Sequence, residues 1–344
     1  MKSFFHLSSI FTKFGFSAGL LSNIILIYLT LFHIRKIQVT YKSMVIFFAI
    51  LGIVFSGWEL FSKPFMHNFN KSMVYFSLAS KFGVPEEFFQ FGIAFYAGLY
   101  MAIVAFISLQ FVFRYLALFK PKFAKKFDGI GFIGWMGYSM VPGIIYGSSF
   151  YFYCLPDQFS DDYVRDEMLM NYELAIGEIP RFVIVSYDGN NSLRWKNMAF
   201  LVQGVSVIGL HYLVILYFGL KIHFNMKKKL QEYSTTYRRI QNQLFRALVV
   251  QTMAPTFLFV LPAGPILLGP LASPIFGFPI SLQTGWLCSV FSFYPPIDSI
   301  AFMVIVTEYK KVIKEQLHYM FFPPESQSAA CTSTDQNAKP IQMS

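Results

Sequence analysis

Residues 86–121 read EEFFQFGIAFYAGLYMAIVAFISLQFVFRYLALFKP. The stretch begins with two glutamates and ends with Arg114, Lys120 and Pro121, and residues 91–113 contain neither a charge nor a proline. An α-helix needs about 20 apolar residues to cross the hydrocarbon core of a bilayer. The stretch therefore predicts a membrane-spanning helix with an acidic end and a basic end.

The composition of the whole chain agrees with a membrane protein. Of its 344 residues 55% are hydrophobic and 13% are charged, and phenylalanine alone occurs 42 times. Soluble domains carry about 25% charged residues. The net charge of +10 does not indicate a nucleic-acid partner, because the basic residues cluster in the loops between apolar runs.

Seven apolar runs follow one another, each close to the length of a span. Backbone groups find no water inside a bilayer, so each run must be helical. The fold class is therefore an all-α, seven-transmembrane helix bundle within residues 14–320. The predicted spans are residues 15–32, 44–61, 88–113, 129–147, 198–220, 244–268 and 281–306.

The loop charges predict the orientation. Eighteen lysines and arginines lie in the loops after the first, third and fifth runs and in the segment after the seventh run. Nine lie on the opposite side of the predicted bundle. Cytoplasmic loops carry the excess of basic residues, so the N-terminus, residues 1–13, is expected to be extracellular. Both glycosylation sequons, at Asn70 and Asn190, fall on the side predicted to be outside.

The chain beyond the seventh run divides into two parts. Residues 308–320 predict an amphipathic helix on the inner surface, because Tyr309, Val312, Ile313 and Leu317 recur at helical spacing. Residues 321–344 are polar and are expected to form a disordered cytoplasmic tail, where palmitoylation of Cys331 is an open alternative. The basic residues 227–229 favour contact with anionic membrane lipids.

The outer segment 148–197 is rich in Asp and Glu. Two interpretations stay open: a solvated loop, or an electrostatic funnel for cationic or polar ligands. None of the three cysteines, Cys154, Cys288 and Cys331, lies near the start of the third helix, so a disulfide from that point to the outer loop cannot form.

Few polar side chains lie inside the runs, where they are expensive and indicate function. Asp298 follows Pro295 and Pro296, whose missing N–H groups predict a bend, and Pro255 lies in the sixth run. These prolines either shape the bundle or act as hinges. Glu59 lies near the outer end of its run, and we expect it to reach water.

Other classes of protein find little support. The six histidines show no metal-ligand spacing, and the chain has no glycine-rich phosphate loop and no nucleophile elbow. We therefore expect no enzyme, no metal and no cofactor. Rows of acidic residues facing a pore, typical of cation channels, are also absent from the sequence.

Three motifs carry a resemblance to a known family: residues 113–121 (FRYLALFKP), residues 247–252 (ALVVQT) with Pro255, and residues 296–298 (PID) with Tyr309-Lys310. With seven runs and an outside N-terminus, the chain resembles the Str class of nematode serpentine chemoreceptors, which are G-protein-coupled receptors. The resemblance implies a receptor for small, often volatile molecules in the plasma membrane of sensory cilia, with a heterotrimeric G protein as partner.

The resemblance also assigns roles to residues. It implies G-protein coupling at Arg114 and Tyr115 with Tyr309, and a conformational switch at Pro255, Pro296 and Asp298. The acid that precedes this arginine in rhodopsin-like receptors is replaced by Phe113. Tyr309 or a carbonyl of the sixth helix are the two candidates for holding Arg114.

The ligand is expected in the outer half of the bundle between the third, fifth, sixth and seventh helices. Tyr96, Leu99 and Tyr100 are the candidate contacts, on one side of the third helix with Phe95, although such a stripe also occurs in plain packing. Aromatic lining favours an apolar or weakly polar molecule. The alternative function is a seven-span odorant-gated channel, whose N-terminus is inside the cell.

Overall fold

The computed structural model describes residues 2–79, 85–277 and 279–321. Within these residues, seven helical segments form one bundle, which confirms the predicted fold class. Several helices extend beyond the predicted runs; the first, for example, begins at Lys2. The spans are α1 (Lys2–Phe32), α2 (Val39–Ser62), α3 (Glu86–Phe119), α5 (Ile130–Tyr153), α7 (Trp195–Leu230), α8 with α9 (Thr235–Pro255 and Leu261–Phe276), and α10 with α11 (Trp286–Phe291 and Tyr294–Ile305).

Five helices in the described part of the chain are long and apolar enough to cross a membrane by themselves, and they belong to the first, second, third, fifth and seventh spans. The fourth span, α5, is diluted by glycine, serine and tyrosine. The sixth span is divided between α8 and α9, so neither piece shows the full hydropathy of a span.

Proline divides both of the last two spans. Pro255 ends α8, and the next five residues, Thr256–Val260, form a π-helical turn before α9 begins. In the seventh span, α10 ends at Phe291 and α11 begins at Tyr294, with Pro295 and Pro296 in its first turn. Proline is tolerated there because the first turn of a helix has unpaired N–H groups in any case.

The third helix is the centre of the bundle. It contacts α2, α5, α7 and α8, and most of its middle residues are buried. Its approach to α5 depends on glycine: a Cβ at Gly98 would lie 2.7 Å from the carbonyl oxygen of Gly143, and one at Gly143 would lie 2.5 Å from that of Gly98. Small residues allow such backbone contact between membrane helices.

An outer lid, which hydropathy did not predict, covers the extracellular end of the bundle. It contains a four-stranded antiparallel sheet in the order β3-β2-β1-β4 and the helix α6 (Gln158–Tyr172). The strands are β1 (Pro64–Phe69), β2 (Ser72–Ser77), β3 (Arg181–Val185) and β4 (Ser281–Leu282). The lid therefore joins segments from three different outer loops.

The lid has its own apolar core. Val164 and Met168 of α6 are fully buried against Phe65, Val74 and Phe76 of the hairpin β1–β2. The acidic segment is thus folded rather than a solvated loop. Several of its carboxylates are used inside the lid, in pairs such as Asp157–Arg194, Asp161–Arg181 and Glu167–His67.

On the inner side, the chain turns through the short helix α4 (Pro121–Ala124) into α5, and the seventh span continues into α12 (Thr307–Phe321). Val312 and Ile313 of α12 pack on the bundle, whereas Leu317 is exposed, as in an amphipathic surface helix. The predicted tail beyond residue 321, with Cys331, lies outside the described residues. Cys154 and Cys288 are free thiols.

Candidate functional site

A small cavity lies beneath the outer lid. Its volume of about 80 Å³ exceeds what one buried water needs but suits a molecule of only a few heavy atoms. The helices α2, α3, α5, α7, α9 and α10 surround it, and the hairpin β1–β2 forms its roof. The lining residues are Phe55, Met66, Met73, Tyr75, Tyr96, Ala97, Tyr100, Tyr146, Phe150, Phe200, Ile266, Leu267 and Phe291.

The third helix contributes two of the predicted contacts to this cavity. Tyr96 and Tyr100 line it with Ala97, and the ring of Phe55 stacks on that of Tyr96 with centroids 4.8 Å apart. Leu99 faces a separate groove between α3 and α5. Successive helical residues are 100° apart, so residues 96 and 100 share a face that residue 99 does not.

The sixth and seventh spans are joined near the middle of the bundle. Asp298 of α11 is buried, and its Oδ2 accepts a 3.0 Å hydrogen bond from Gln251 Nε2 of α8. Its other carboxylate oxygen accepts no hydrogen bond from the residues that the structure describes. Gln251 precedes Pro255 by one helical turn, and Asp298 follows Pro296, so this bond connects the two proline-broken segments.

Arg114 lies at the inner end of α3 and is buried, with 3% of its surface exposed. Its Nη2 donates to the carbonyl oxygen of Gln241 on α8, and its guanidinium lies 5.7 Å from the ring centroid of Tyr41. Of the two candidates for holding Arg114, the structure therefore has the carbonyl of the sixth span. Within the described residues, no ion pair forms at Arg114.

The two tyrosines predicted to accompany Arg114 lie in different surroundings. Tyr115 packs against Phe218 of α7, with ring centroids 5.1 Å apart. Tyr309 is buried, its hydroxyl is 2.8 Å from Thr30 Oγ1 of α1, and its ring meets Phe302 edge to face. Tyr309 thus connects the first and seventh spans and not the third.

The sequence matches the family described as "Serpentine type 7TM GPCR chemoreceptor Str" over residues 8–314. The chain belongs to this family. The resemblance inferred from three short motifs is thereby confirmed, and the odorant-channel alternative is set aside because the family is one of G-protein-coupled receptors.

Individual relatives agree with this assignment. The protein named G-protein coupled receptor str-33 of Caenorhabditis elegans is 35% identical over 315 residues, or 90% of each chain. Serpentine receptor class r-10 of the same nematode is 24% identical over 278 residues, or 80% of each chain. Squid rhodopsin superposes with a TM-score of 0.62 over 94% of this chain and 87% of its own, at 12% identity, which supports the fold alone.

In this Str receptor, one buried acid departs from the expectation. Glu59 does not reach water: it is 1% exposed and accepts a hydrogen bond from Ser292 Oγ, in the break between α10 and α11. Its second carboxylate oxygen, Oε2, is buried without a hydrogen-bond partner among the described residues. Glu59 lies one helical turn after Phe55, which lines the cavity, and its position inside a predicted span was the one sequence signal of this burial.

The top of the third helix of the Str receptor is held by charge instead of a disulfide. Arg181 of β3 donates to both carboxylate oxygens of Asp161, at 2.9 and 2.5 Å. Its Nη1 also lies 3.6 Å from Glu86 Oε1, in the first turn of α3. Through these two contacts Arg181 joins α6, β3 and α3, and the sequence offered only the acidic pair at residues 86–87 as a signal.

A buried histidine lies at the centre of the lid. His67 Nε2 is 3.1 Å from Glu167 Oε1, and Nδ1 is 2.9 Å from the Tyr172 hydroxyl. An ionised Glu167 only accepts, so Nε2–H donates and a neutral ring accepts from Tyr172 at Nδ1. Burial lowers the pKa of His67 below its ordinary value, and the bond and charge of Glu167 only partly oppose this effect.

The two sequons differ in their surroundings. Asn190 is exposed in a turn. Asn70 is partly buried in the β1–β2 turn, and its Oδ1 accepts a 2.9 Å bond from the Ile280 N–H. Within the part of the chain that the structure describes, the Asn190 side chain makes no such hydrogen bond, whereas the Asn70 side chain does.

Proposed function

We propose that this receptor binds a small, weakly polar molecule in the cavity beneath the lid and activates a heterotrimeric G protein at the inner end of the third helix. The observation that carries the proposal is that one helix, α3, reaches from the cavity to Arg114 at the inner end of the bundle. Tyr100 lines the cavity, and Arg114 is bonded to the sixth span fourteen residues later. At 1.5 Å per residue these positions are about 21 Å apart.

The chemistry of the cavity supports a ligand of limited polarity. Its lining consists of aromatic, methionine and aliphatic side chains, with tyrosine hydroxyls as the main polar groups. Such a lining buries apolar surface and fixes orientation through a few hydrogen bonds. Small volatile molecules, such as those a sensory cilium meets, have this character.

A route from the cavity to Arg114 is offered by the last two spans. Ile266 and Leu267 of α9 line the cavity, and the chain then passes through the π-helical turn and Pro255 to Gln241, whose carbonyl accepts from Arg114. A ligand that moves α9 would therefore shift α8 about this hinge. We assign Asp298 and Pro296 to the matching hinge of the seventh span.

A screen tests the ligand part of the proposal. Reporter cells expressing the chain at the surface are exposed to a panel of small volatile molecules. Ala97→Trp should abolish the response to any active compound, because the indole fills a cavity of about 80 Å³. Ala199→Trp, on an exposed face of α7, is the matched control and should respond normally.

A second variant keeps the proposal testable if Ala97→Trp fails to fold. Tyr100→Ala enlarges the cavity and should shift the preference towards larger homologues of an active compound. The proposal fails if Ala97→Trp, at surface expression equal to the parent receptor, responds to the same compounds with the same sensitivity.

A further inference from the structure

A recess opens on the inner side of the bundle, away from the cavity and from Arg114. It lies between the inner end of α7, the outward face of α8, and the junction of α11 with α12, and its volume is about 1100 Å³. A smaller recess of about 390 Å³ adjoins it and shares Arg238, Asn242 and Arg246. We refer to the two together as the inner recess.

The inner recess is strongly basic. Its cations are Lys227, Arg238, Arg239, Arg246 and Lys310. No Asp or Glu appears among its described lining residues, and none of the five cations forms an ion pair within the described chain. The Nε of Arg238 is buried without a hydrogen-bond partner in that part of the chain. A buried donor without a partner is unfavourable, and an anion bound in the recess would supply the acceptor.

The position of these cations on α8 separates them from the proposed coupling site. Arg238, Asn242 and Arg246 recur every four residues and form one stripe along the helix. Gln241, which receives the Arg114 bond, and the buried Leu244 and Leu248 lie on the opposite, inward face. An anion held by the stripe would therefore contact α8 from the membrane side.

Beside the cations and several uncharged polar side chains, the inner recess has an apolar floor. Met226, Leu230, Phe245 and Val249 form the floor, and the exposed Val304 lies at its edge. Arg246 itself falls inside the hydropathy-predicted sixth span, where an arginine needs a charged or polar partner. A water-soluble anion would leave this apolar surface uncovered, whereas the acyl chains of a lipid would cover it.

We propose that the inner recess binds a phosphoinositide, that is, an inner-leaflet phospholipid whose headgroup carries phosphomonoester groups. Guanidinium groups bind phosphate oxygens in a bidentate manner, and several separated cations match several phosphates better than the single charge of phosphatidylserine. The lipid would link α7, α8 and α12 and so stabilise the arrangement in which Gln241 accepts from Arg114.

Lipid binding to the full chain tests the proposal. The purified receptor is placed in phosphatidylcholine nanodiscs containing phosphatidylinositol 4,5-bisphosphate, and the bound lipid is counted by native mass spectrometry. The double substitution Arg238→Gln with Arg246→Gln should weaken retention about thirtyfold, because each basic residue near an anionic headgroup contributes roughly one kcal/mol.

The matched control removes the same charge elsewhere on the inner surface. Lys122 in α4 and Lys125 directly after it are exposed and lie outside the recess, so Lys122→Gln with Lys125→Gln should retain the lipid as the parent does. Equal loss in both pairs, or no loss in the first, would overturn the proposal. If the first pair fails to give a monodisperse receptor, Lys227→Gln with Lys310→Gln replaces it under the same criteria.

Two further binding measurements identify the chemical class of the molecule in the inner recess. Phosphatidylserine at matched total charge should be retained less, and equal retention contradicts the phosphomonoester requirement. Soluble inositol trisphosphate should displace the lipid poorly, and displacement at equal concentration would assign the site to a free phosphate. If the arginine pair keeps the lipid but loses G-protein activation, the recess is a protein contact and the proposal is wrong.

Discussion

The two ends of the third helix are both held by an arginine, and the two arginines are held in different ways. At the outer end, Arg181 makes a bidentate pair with Asp161 and lies 3.6 Å from Glu86. At the inner end, Arg114 has a single backbone carbonyl and the ring of Tyr41. Both guanidinium groups are buried, so the difference lies in the partners rather than in exposure.

The difference in partners indicates a difference in purpose. Two carboxylates hold a guanidinium by the attraction of opposite charges as well as by hydrogen bonds, and the bond to Asp161 is bidentate. A carbonyl and an aromatic ring hold it more weakly, and they sit on α8 and α2, which are different helices. The outer contact is suited to fixing α3 under the lid, whereas the inner contact is suited to being broken when α8 moves.

The largest expected effect is at the inner end. Arg114→Ala should abolish G-protein activation and leave surface expression and ligand binding intact, because the side chain that we assign to coupling is removed while the helix packing remains. Nucleotide exchange on a purified G protein, at matched receptor amounts, measures this. Lys120→Ala, an exposed cation six residues later, is the control; normal activation by Arg114→Ala would refute the coupling role.

At the outer end the expected loss is of stability. Arg181→Ala should lower the free energy of unfolding by roughly 2–3 kcal/mol, less than for a fully buried pair because the carboxylates keep some access to water. Thermal unfolding in detergent measures the change. Arg165→Ala breaks an exposed pair with Asp162 and should change stability by about 0.5 kcal/mol or less; equal losses would remove the contrast between the pairs.

A smaller effect is expected from the ring beneath Arg114. Tyr41→Leu removes a cation–π contact of about 1 kcal/mol and should raise ligand-independent activation several-fold. Tyr41→Phe keeps the ring and should behave like the parent. Basal activation unchanged in the leucine variant, or raised equally in both, would mean that the Gln241 carbonyl alone holds the arginine.

The lid should respond weakly to acid through His67. Its pKa is lowered in the folded state, so the unfolded chain binds the proton first. Its contribution to stability is complete above pH of about 6.5 and is lost as the pH falls towards the folded-state pKa, by at most about 1.4 kcal/mol per pH unit. The groups that face the imidazole are Glu167 of α6 and Tyr172 of the same helix.

The test compares slopes rather than absolute stabilities. Unfolding temperatures of the parent and of His67→Gln are measured from pH 7.5 downwards at constant salt. The parent should lose stability more steeply than the variant between neutral and mildly acidic pH. Parallel curves would show that the acid response of the lid comes from other groups.

The smallest expected change concerns glycosylation. Asn190 is exposed, whereas the Asn70 side chain is bonded to the Ile280 backbone. We expect Asn190→Gln to remove a glycosidase-sensitive shift on a gel and Asn70→Gln to leave it. The opposite pattern would mean that the β1–β2 turn opens before the lid closes over it, and receptor activity should be unaffected in either variant.

The membrane part of this receptor could be predicted because its signal is local. A span needs only a run of apolar residues, and residues 91–113 supply one without any knowledge of the other helices. Orientation was equally available from the basic loops. The breaks beside Pro255 and Pro296 were also local, because proline removes its own hydrogen-bond donor wherever it lies.

The lid and the burial of Glu59 could not be predicted in the same way. The sheet takes its strands from three loops, and β3 pairs with β2 more than a hundred residues earlier in the chain. Glu59 meets Ser292 across 233 residues. Neither contact leaves a periodic pattern in its own segment, so hydropathy could only assign these residues to loop or span ends.

The third helix shows which features neighbouring residues determine and which depend on the packing of the bundle. The sequence alone determined that a span lies within residues 86–121, which end of it is basic, and that no acid directly precedes Arg114, because these are properties of neighbouring residues. Only the tertiary structure decided that Tyr100 lines a cavity while Leu99 does not, and that Arg114 donates to Gln241, 127 residues away. Those outcomes depend on which helix faces each side chain, and that is set by the packing of the whole bundle.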